Sequence, residues 1–465
     1  MNRIILIIIL VVLSFQLYCY SLLNQYYGER LLNYDPRSLA MGSATVAGGN
    51  RLFTAFVNPA NLVLQPEGIS AQAGYKIILN SENRSLPMYN SFDAYSDDAI
   101  YVSNTSYYLD PALAVAYHWK MQEYSLSLAA HYRTYADMGA EYEEEVRNND
   151  NSDYDSYPPI LAYNSIKGEG GIDAAGVTLS AAYREFLFLG LELVKLGGKN
   201  KLIRRLDWSD QAYIMMLGED VELVDQYSKL NREFDGLSFQ AGLGLRIDPR
   251  WSVGISFRPK VDLDVSGDFN DVDIEETVFI YFSELDSLNN PVPFDSLTYA
   301  DFTDPLRFRA GFSYQPRNIM KTFFNCDVEY VKWSDINRLY DDQINYYIGV
   351  EHVFRQKTPL RIGFRFETEY GLYDDHGLVF ARKITTPTFT AGSGFTFLER
   401  FTLDVAFELS NRQYEALDLF PDDVYDYEPL WENYYYLNLE DRGWENPDTV
   451  EETFFKVSSS ISFNW

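Results

Sequence analysis

The feature that most constrains this chain is a two-residue alternation of apolar and polar side chains, sustained in runs longer than ordinary strands. From Phe401 to Ser410, the residues Phe401, Leu403, Val405, Phe407 and Leu409 share one face, and Thr402, Asp404, Ala406, Glu408 and Ser410 share the other. Trp251, Val253, Ile255, Phe257, Val261, Leu263 and Val265 alternate with Ser252, Gly254, Ser256, Arg258, Lys260, Asp262 and Asp264. Strands of globular proteins average about 5 to 6 residues, whereas a strand crossing a bilayer needs about 9 to 11. A soluble sandwich has the same period, but its outward face is the polar one. Alternation at membrane-spanning length predicts an all-β fold: a transmembrane barrel with one strand face on lipid and the other on the lumen.

Fourteen such runs are present, at approximately 68–79, 112–121, 123–134, 174–184, 186–196, 236–247, 250–266, 304–316, 321–333, 342–355, 358–370, 386–398, 400–413 and 452–465. Links after even-numbered runs are short, and those after odd-numbered runs are long. This predicts a 14-stranded antiparallel barrel with short periplasmic turns, long extracellular loops and both termini in the periplasm. The last run places Phe455, Val457, Ile461, Phe463 and Trp465 on one face. A final strand ending on an aromatic, with Phe463 and Trp465 as its signal, resembles what the bacterial barrel-assembly machinery reads.

Ile4 to Leu13 is an unbroken apolar run behind Arg3, too short for the roughly 20 residues of a spanning helix. It reads as a secretory signal over residues 1–21, cut near Ser21 and Leu22. Cleavage leaves Cys326 as the one cysteine, so no internal disulfide is available.

The balance of 38 Lys plus Arg against 68 Asp plus Glu, a net charge of -30, excludes nucleic acid as a partner, because phosphates require bases. The excess sits in three expected loops. Residues 135–173 hold ten acids and two bases, 267–303 nine acids and no base, and 414–451 twelve acids and one base. Self-repulsion at that density is expected to draw divalent cations. The expected lumen is balanced: Arg246, Arg258, Lys260, Arg307, Arg309, Arg361, Arg365 and Lys456 against Asp262, Asp264, Asp327, Glu329, Glu351, Glu367, Asp404 and Glu408. That composition predicts a lattice of ion pairs rather than a single-sign tunnel. The histidines, Asp374-Asp375-His376 included, form no set with the spacing of a catalytic or metal site. Neither an enzyme nor a bound cofactor is expected.

Residues 22–67 lack the alternation and read as a compact plug ahead of a barrel over 68–465. They include Pro36-Arg37-Ser38-Leu39-Ala40-Met41-Gly42-Ser43-Ala44-Thr45-Val46-Ala47 and Asn58-Pro59-Ala60-Asn61-Leu62. On these residues the chain resembles the FadL family of outer-membrane transporters for long-chain fatty acids, with the related TodX-type hydrocarbon channels. Arg37, Met41, Gly42, Asn58, Pro59 and Ala60 occupy the family's plug motif. Asn50-Arg51 stands where the family has an acid, and Asn61 where it has glycine. Pro249-Arg250-Trp251, Arg258-Pro259-Lys260 and Val328-Glu329-Tyr330 extend the resemblance. PorV-like barrels of protein secretion or surface attachment are similar in strand count and motif and are the alternative, together with a structural or adhesive outer-membrane protein.

The resemblance implies an outer-membrane protein that takes up hydrophobic small molecules through apolar outer loops. The capture residues would be Ile214, Met215, Leu217 and Val224 in one loop and Phe279, Ile280 and Phe282 in the next. Val221, Val224, Tyr227, Leu230 and Phe234 have the spacing of one helix face. Inside the barrel, Arg258, Lys260, Arg307 and Arg309 are the candidates to pair with a carboxylate head.

Overall fold

A computed structural model describes residues 21–92, 94–147, 160–215, 223–285, 287–288, 290–317, 321–354, 358–375, 378–398, 400–420, 435–437 and 447–465. Residues 1–20 of the expected signal, residues 421–434 of the acidic loop 414–451 and His376 lie outside the described residues. Among the described residues no helix is long and apolar enough to cross a membrane.

Fourteen antiparallel strands form a closed ring. They are β1 (Gly68–Asn90), β2 (Tyr95–Lys120), β3 (Tyr124–Asp137), β4 (Ile160–Tyr183), β5 (Leu187–Trp208), β6 (Gln226–Asp248), β7 (Trp251–Arg258), β8 (Arg307–Tyr314), β9 (Thr322–Val331), β10 (Gln343–Phe354), β11 (Thr358–Asp375), β12 (Leu378–Phe397), β13 (Phe401–Ala416) and β14 (Asp448–Asn464). Each run read from the sequence holds one strand of the ring, with run 250–266 broken after Arg258. β1 pairs with β14 from Ser70↔Asn464 to Ser85↔Thr449, which leaves no open sheet edge around the ring. At the seam, Ile69 and Trp465 exchange backbone hydrogen bonds of 2.9 and 2.8 Å.

The faces agree with the alternation. Thr402, Asp404, Ala406, Glu408 and Ser410 of β13 are buried, while Phe407 and Leu409 stand outside. Leu113, Val115, Leu128, Val177, Leu179, Leu189 and Leu191 are among the exposed outward residues. Aromatic pairs gather at the short-turn end: Tyr117 with Trp119, Tyr124 with Tyr183, Trp251 with Tyr314, and Phe401 with Phe463. An apolar band bordered by aromatic rings is the exterior that hydrocarbon, not water, stabilises.

Three expectations are corrected. First, the long links are mostly continuations of the strands. β1 and β2 run for 23 and 26 residues and pair as far as Tyr89↔Tyr95. At about 3.3 Å per residue that is far more than a bilayer spans. Ala140–Arg147 likewise extends the ladder, pairing with Ile160–Gly168 of β4. Secondly, the helix face expected for residues 221–234 does not form over the described residues 223–234. Tyr227, Leu230 and Phe234 lie on β6, where even spacing puts Leu230 and Phe234 inside and leaves Tyr227 out. Thirdly, the expected strand 250–266 breaks at Pro259-Lys260. Proline has no N–H for the ladder. Past the break, Val261, Leu263 and Val265 are buried, and Asp262 and Asp264 are exposed.

Residues 21–67 lie inside the ring. They comprise 3-10 turns at Leu22–Asn24, Leu52–Phe56 and Pro59–Leu64, a short helix α1 (Pro36–Leu39) and a two-residue strand, Glu29–Arg30, paired to β3. Ser21 and Leu22 are buried beside Asn80, Glu82, Asn104 and Ser106, far along β1 and β2 from the Ile69–Trp465 seam. Leu22, Leu31 and Tyr34 draw the segment up the lumen into an apolar cluster with Ile78, Tyr108 and Tyr142.

Candidate functional site

The site is the contact between the interior segment and the barrel wall, with the cavity it encloses. Backbone meets backbone there, and lumen-facing glycines permit it. A Cβ on Gly349 of β10 would stand 2.2 Å from the Met41 carbonyl oxygen. One on Gly363 of β11 would stand 2.0 Å from the Gly42 nitrogen, and one on Gly254 of β7 2.0 Å from the Val46 carbonyl oxygen. Gly190 of β5 is as tight against Pro59, and Gly242 of β6 against Asn58 Oδ1. Gly42 itself has φ +62°, which favours glycine. Asn58 caps its turn by accepting from Ala60 N at 3.1 Å. It also donates to the Val46 carbonyl at 2.7 Å and the Leu243 carbonyl at 3.1 Å, fastening the two halves of the segment to β6. Gly242→Val is expected to push Asn58 off β6. Cysteine labelling at position 58 should then become at least severalfold faster, with barrel assembly retained.

Charge fixes the same segment. Arg37 meets both oxygens of Glu351 at 2.8 Å, Glu351 binds Arg361 at 2.7 Å, Arg361 binds Asp404 at 2.8 Å, and Asp404 binds Arg51 at 2.7 Å. Asn50, Arg51 and Asn61, the residues that depart from the motif of the resemblance, take part. Asn50 accepts from Arg37 at 2.6 Å, and Arg51 ends the chain of pairs. Asn61 donates to the Thr45 carbonyl at 2.9 Å. Asp327 accepts from the backbone of Thr45 and Val46 at 2.8 and 3.0 Å and pairs with Arg309 at 2.9 Å.

The expected lattice of pairs is otherwise largely present. Arg365 binds Glu408 and Glu367, and Lys456 faces Glu29 at 3.5 Å. Lys260 is the correction among the site residues. It is exposed and pairs with exposed Asp262 at 3.2 Å, because the break at Pro259 carries it off the lumenal face. Arg246 also leaves the lumen, sitting half-exposed beside Glu185 at a turn.

Above α1 lies a cavity of about 140 Å³, lined by residues of the segment and by β1, β6 to β11 and β14. Arg30, Lys76, Arg258, Arg307, Arg309, Arg365 and Lys456 border it, as do Glu29, Glu329, Glu367 and Glu369. Trp333, Tyr340 and Tyr370 wall one side; the two tyrosine rings are stacked 4.7 Å apart, and Trp333 lies 5.8 Å from Tyr370. Sequence reading missed this aromatic group, because Trp333 and Tyr340 fall in the link after β9. Beside Arg258 the wall itself is interrupted. The β6–β7 ladder begins at Ala241↔Phe257 and resumes at Asp235↔Asp264, so Gly236 to Gln240 make no ladder pair on that side. The side chain of Leu263 packs into the gap against Gly236.

The loop residues are less drawn together. Ile214 and Met215 end a short helix, α2 (Asp210–Met215), and Leu217 lies outside the described residues. Val224 is exposed. Phe279, Ile280 and Phe282 lie in a hairpin, Val278–Leu285 with Pro291–Thr298, that packs against β12; Phe282 is buried and Ile280 half-buried. Phe463 faces outward near the seam.

No family model and no curated protein matches the chain. Solved structures do match. The toluene transporter TodX of Pseudomonas putida covers 94% of this chain, 99% of its own length being matched, with a TM-score of 0.56 and 13% identity. Its fold is the FadL-type barrel. The monoaromatic hydrocarbon channel CymD matches 94% of the chain and 98% of itself, with a TM-score of 0.52 and 15% identity. A FadL homologue of Pseudomonas aeruginosa matches 94% and 99%, with a TM-score of 0.55 and 11% identity. At these identities the likeness is one of fold. In this barrel the lumen-facing glycines and the Arg37-to-Arg51 ion-pair chain are where the wall meets the interior segment.

Proposed function

We propose that the chain is an outer-membrane transporter that takes up hydrophobic compounds, fatty acids or hydrocarbons among them. The observation that carries this is the lumen. A closed barrel with an apolar exterior holds a segment docked by hydrogen bonds, ion pairs and glycine contacts rather than by a covalent bond, next to a cavity of ligand size. A passive pore needs no such occupant.

In this reading residues 22–67 act as a plug, and the ladder extensions beyond the apolar band face the outside. Apolar compounds are caught at Ile214, Met215, Leu217, Val224, Phe279, Ile280 and Phe282. Arg258 and Arg307 are the bases that would hold a carboxylate head, Arg309 being paired with Asp327. Release follows movement of Arg37–Leu62, towards the periplasm or sideways through the interrupted β6–β7 ladder. The break at Pro259 supports the sideways path, because separating Leu263 from Gly236 needs no strand hydrogen bond to be broken.

The test is uptake of labelled fatty acid and labelled toluene by cells expressing the protein, alongside mass spectrometry of lipids that co-purify. Phe279→Asp with Phe282→Asp, at equal surface abundance, is expected to lower uptake at least fivefold. Uptake no higher than in cells lacking the protein ends this reading. Co-purification of a large secreted protein would favour a PorV-like role instead.

A further inference from the structure

We infer that the lumenal cavity takes a small aromatic carboxylate, held between Arg258 and Arg307, in preference to a long alkyl chain or a neutral hydrocarbon. This rests on the proposed uptake role and names the substrate class of that same cavity.

Arg258 and Arg307 are direct cross-strand partners at the ends of β7 and β8, and both line the cavity. Like charges directly opposite each other oppose strand pairing, so an anion between them relieves the arrangement. Carboxylates do lie near the pair: buried Asp304 acts on both arginines and Glu192 on Arg258, while Asp304 itself is bonded by the Tyr135 hydroxyl and Arg30. Arg258 donates to Gln240 Oε1 at 2.6 Å, the Tyr135 hydroxyl at 3.4 Å and the Phe56 carbonyl at 3.5 Å, all neutral acceptors. Arg307 reaches Glu329 only at 3.7 Å, and its buried Nε has no hydrogen-bond partner among the described residues. Lys76, on the same cavity, donates to the Asn33 carbonyl at 3.3 Å and sits over the Tyr34 ring. By contrast, Arg309 and Arg365 are taken up by Asp327, Glu408 and Glu367. Arg258 thus hydrogen-bonds neutral acceptors and Arg307 keeps an unfilled Nε–H, and a guanidinium binds carboxylate through a matched pair of N–H groups.

The remaining walls set the rest of the ligand. An apolar cavity of about 150 Å³ accepts a single benzene ring, and this one is about 140 Å³. A long acyl chain would have to extend out of it while the segment is docked. Trp333, Tyr340 and Tyr370 offer ring faces and edges, and the buried Trp333 Nε1 has no hydrogen-bond partner among the described residues. Aromatic ligands gain from offset or edge contacts of this kind, and a ring substituent that accepts a hydrogen bond suits the indole N–H.

The experiment is titration of the full mature chain, in lipid nanodiscs, with sodium benzoate, cyclohexanecarboxylate, toluene and oleate. Benzoate is expected to bind one site at least fivefold tighter than cyclohexanecarboxylate and at least tenfold tighter than toluene. Arg258→Met with Arg307→Met should weaken benzoate at least tenfold and leave toluene within twofold, Arg307→Lys should weaken it less, and exposed Lys260→Met should change nothing. Toluene or oleate binding tighter than benzoate overturns the inference while leaving hydrophobic uptake standing. So does benzoate binding that the double variant does not alter. If the variants fail to assemble, the ligand ranking on the wild-type chain still decides it. Absence of uptake of any of the four by cells marks failure of the transport reading instead.

Discussion

Asp404→Ala is expected to loosen the interior segment while leaving the barrel assembled. Asp404 is fully buried and binds two cations at once, Arg51 of the segment at 2.7 Å and Arg361 of β11 at 2.8 Å. Removing it strands one guanidinium and leaves Arg361 to share Glu351 with Arg37. Deleting one partner of a buried pair costs about 3–5 kcal/mol, because the other charge stays desolvated and unmatched. The strand ladders are backbone bonds and do not depend on this side chain. The penalty is relieved if residues 37–51 leave the wall, so single-channel conductance in planar bilayers should rise severalfold, with frequent openings where the wild type is quiet. Asp404→Asn keeps the volume and removes the charge, and should fall between the two. A variant as silent as wild type, with normal heat-modifiable migration, would show that the ion-pair chain does not hold the segment.

Leu113→Arg with Leu191→Arg tests the exterior. Both leucines are about half exposed on the outer wall, on β2 and β5, and are separated by two strands. An arginine facing the middle of a bilayer costs about 2–4 kcal/mol in barrel proteins. Distant sites add, so the pair should lose about 4–8 kcal/mol in urea unfolding from lipid vesicles. Glu143→Arg, outward on the ladder extension beyond the apolar band, should cost under about 0.5 kcal/mol. Equal, small losses at all three positions would mean that the apolar band does not face lipid.

The strands were legible because lipid imposes a rule that water does not: every outward residue within the bilayer must be apolar. Where that rule ends, so does the signal. Glu141, Glu143 and Glu145 point outward from Ala140–Arg147 as regularly as the leucines of β5 do, yet charged outward residues read as loop. Leu230 and Phe234 are spaced by four, which both a helix and a strand satisfy; only the partner strands decide, and β5 and the continuation of β7 pair with this stretch of β6. Lys260 was assigned by counting alternate residues through Pro259, and one break in the ladder reverses the count. The plug motif was visible as residues and opaque as contacts. Gly242, Gly254, Gly349 and Gly363 carry no side chain to mark a face, so their role emerges only when Asn58, Val46, Met41 and Gly42 are seen against them. The ion pairs were predicted as a balance of charge. That Arg51, a departure from the family's motif, would complete the chain to Asp404 was beyond any spacing argument.

The most direct measurement is uptake through a barrel whose interior segment is reversibly tethered. Asn58 and Gly242 face each other so closely that paired cysteines at these positions, in a Cys326→Ser background, fall within reach of a disulfide. Cells expressing that variant would be assayed for uptake of labelled fatty acid and benzoate before and after reduction. The account predicts uptake near the level of cells lacking the protein while the tether is closed, and recovery of most of the rate of the reduced protein when it is opened. Equal uptake in the oxidised and reduced states, with cross-linking shown to be complete, would contradict it.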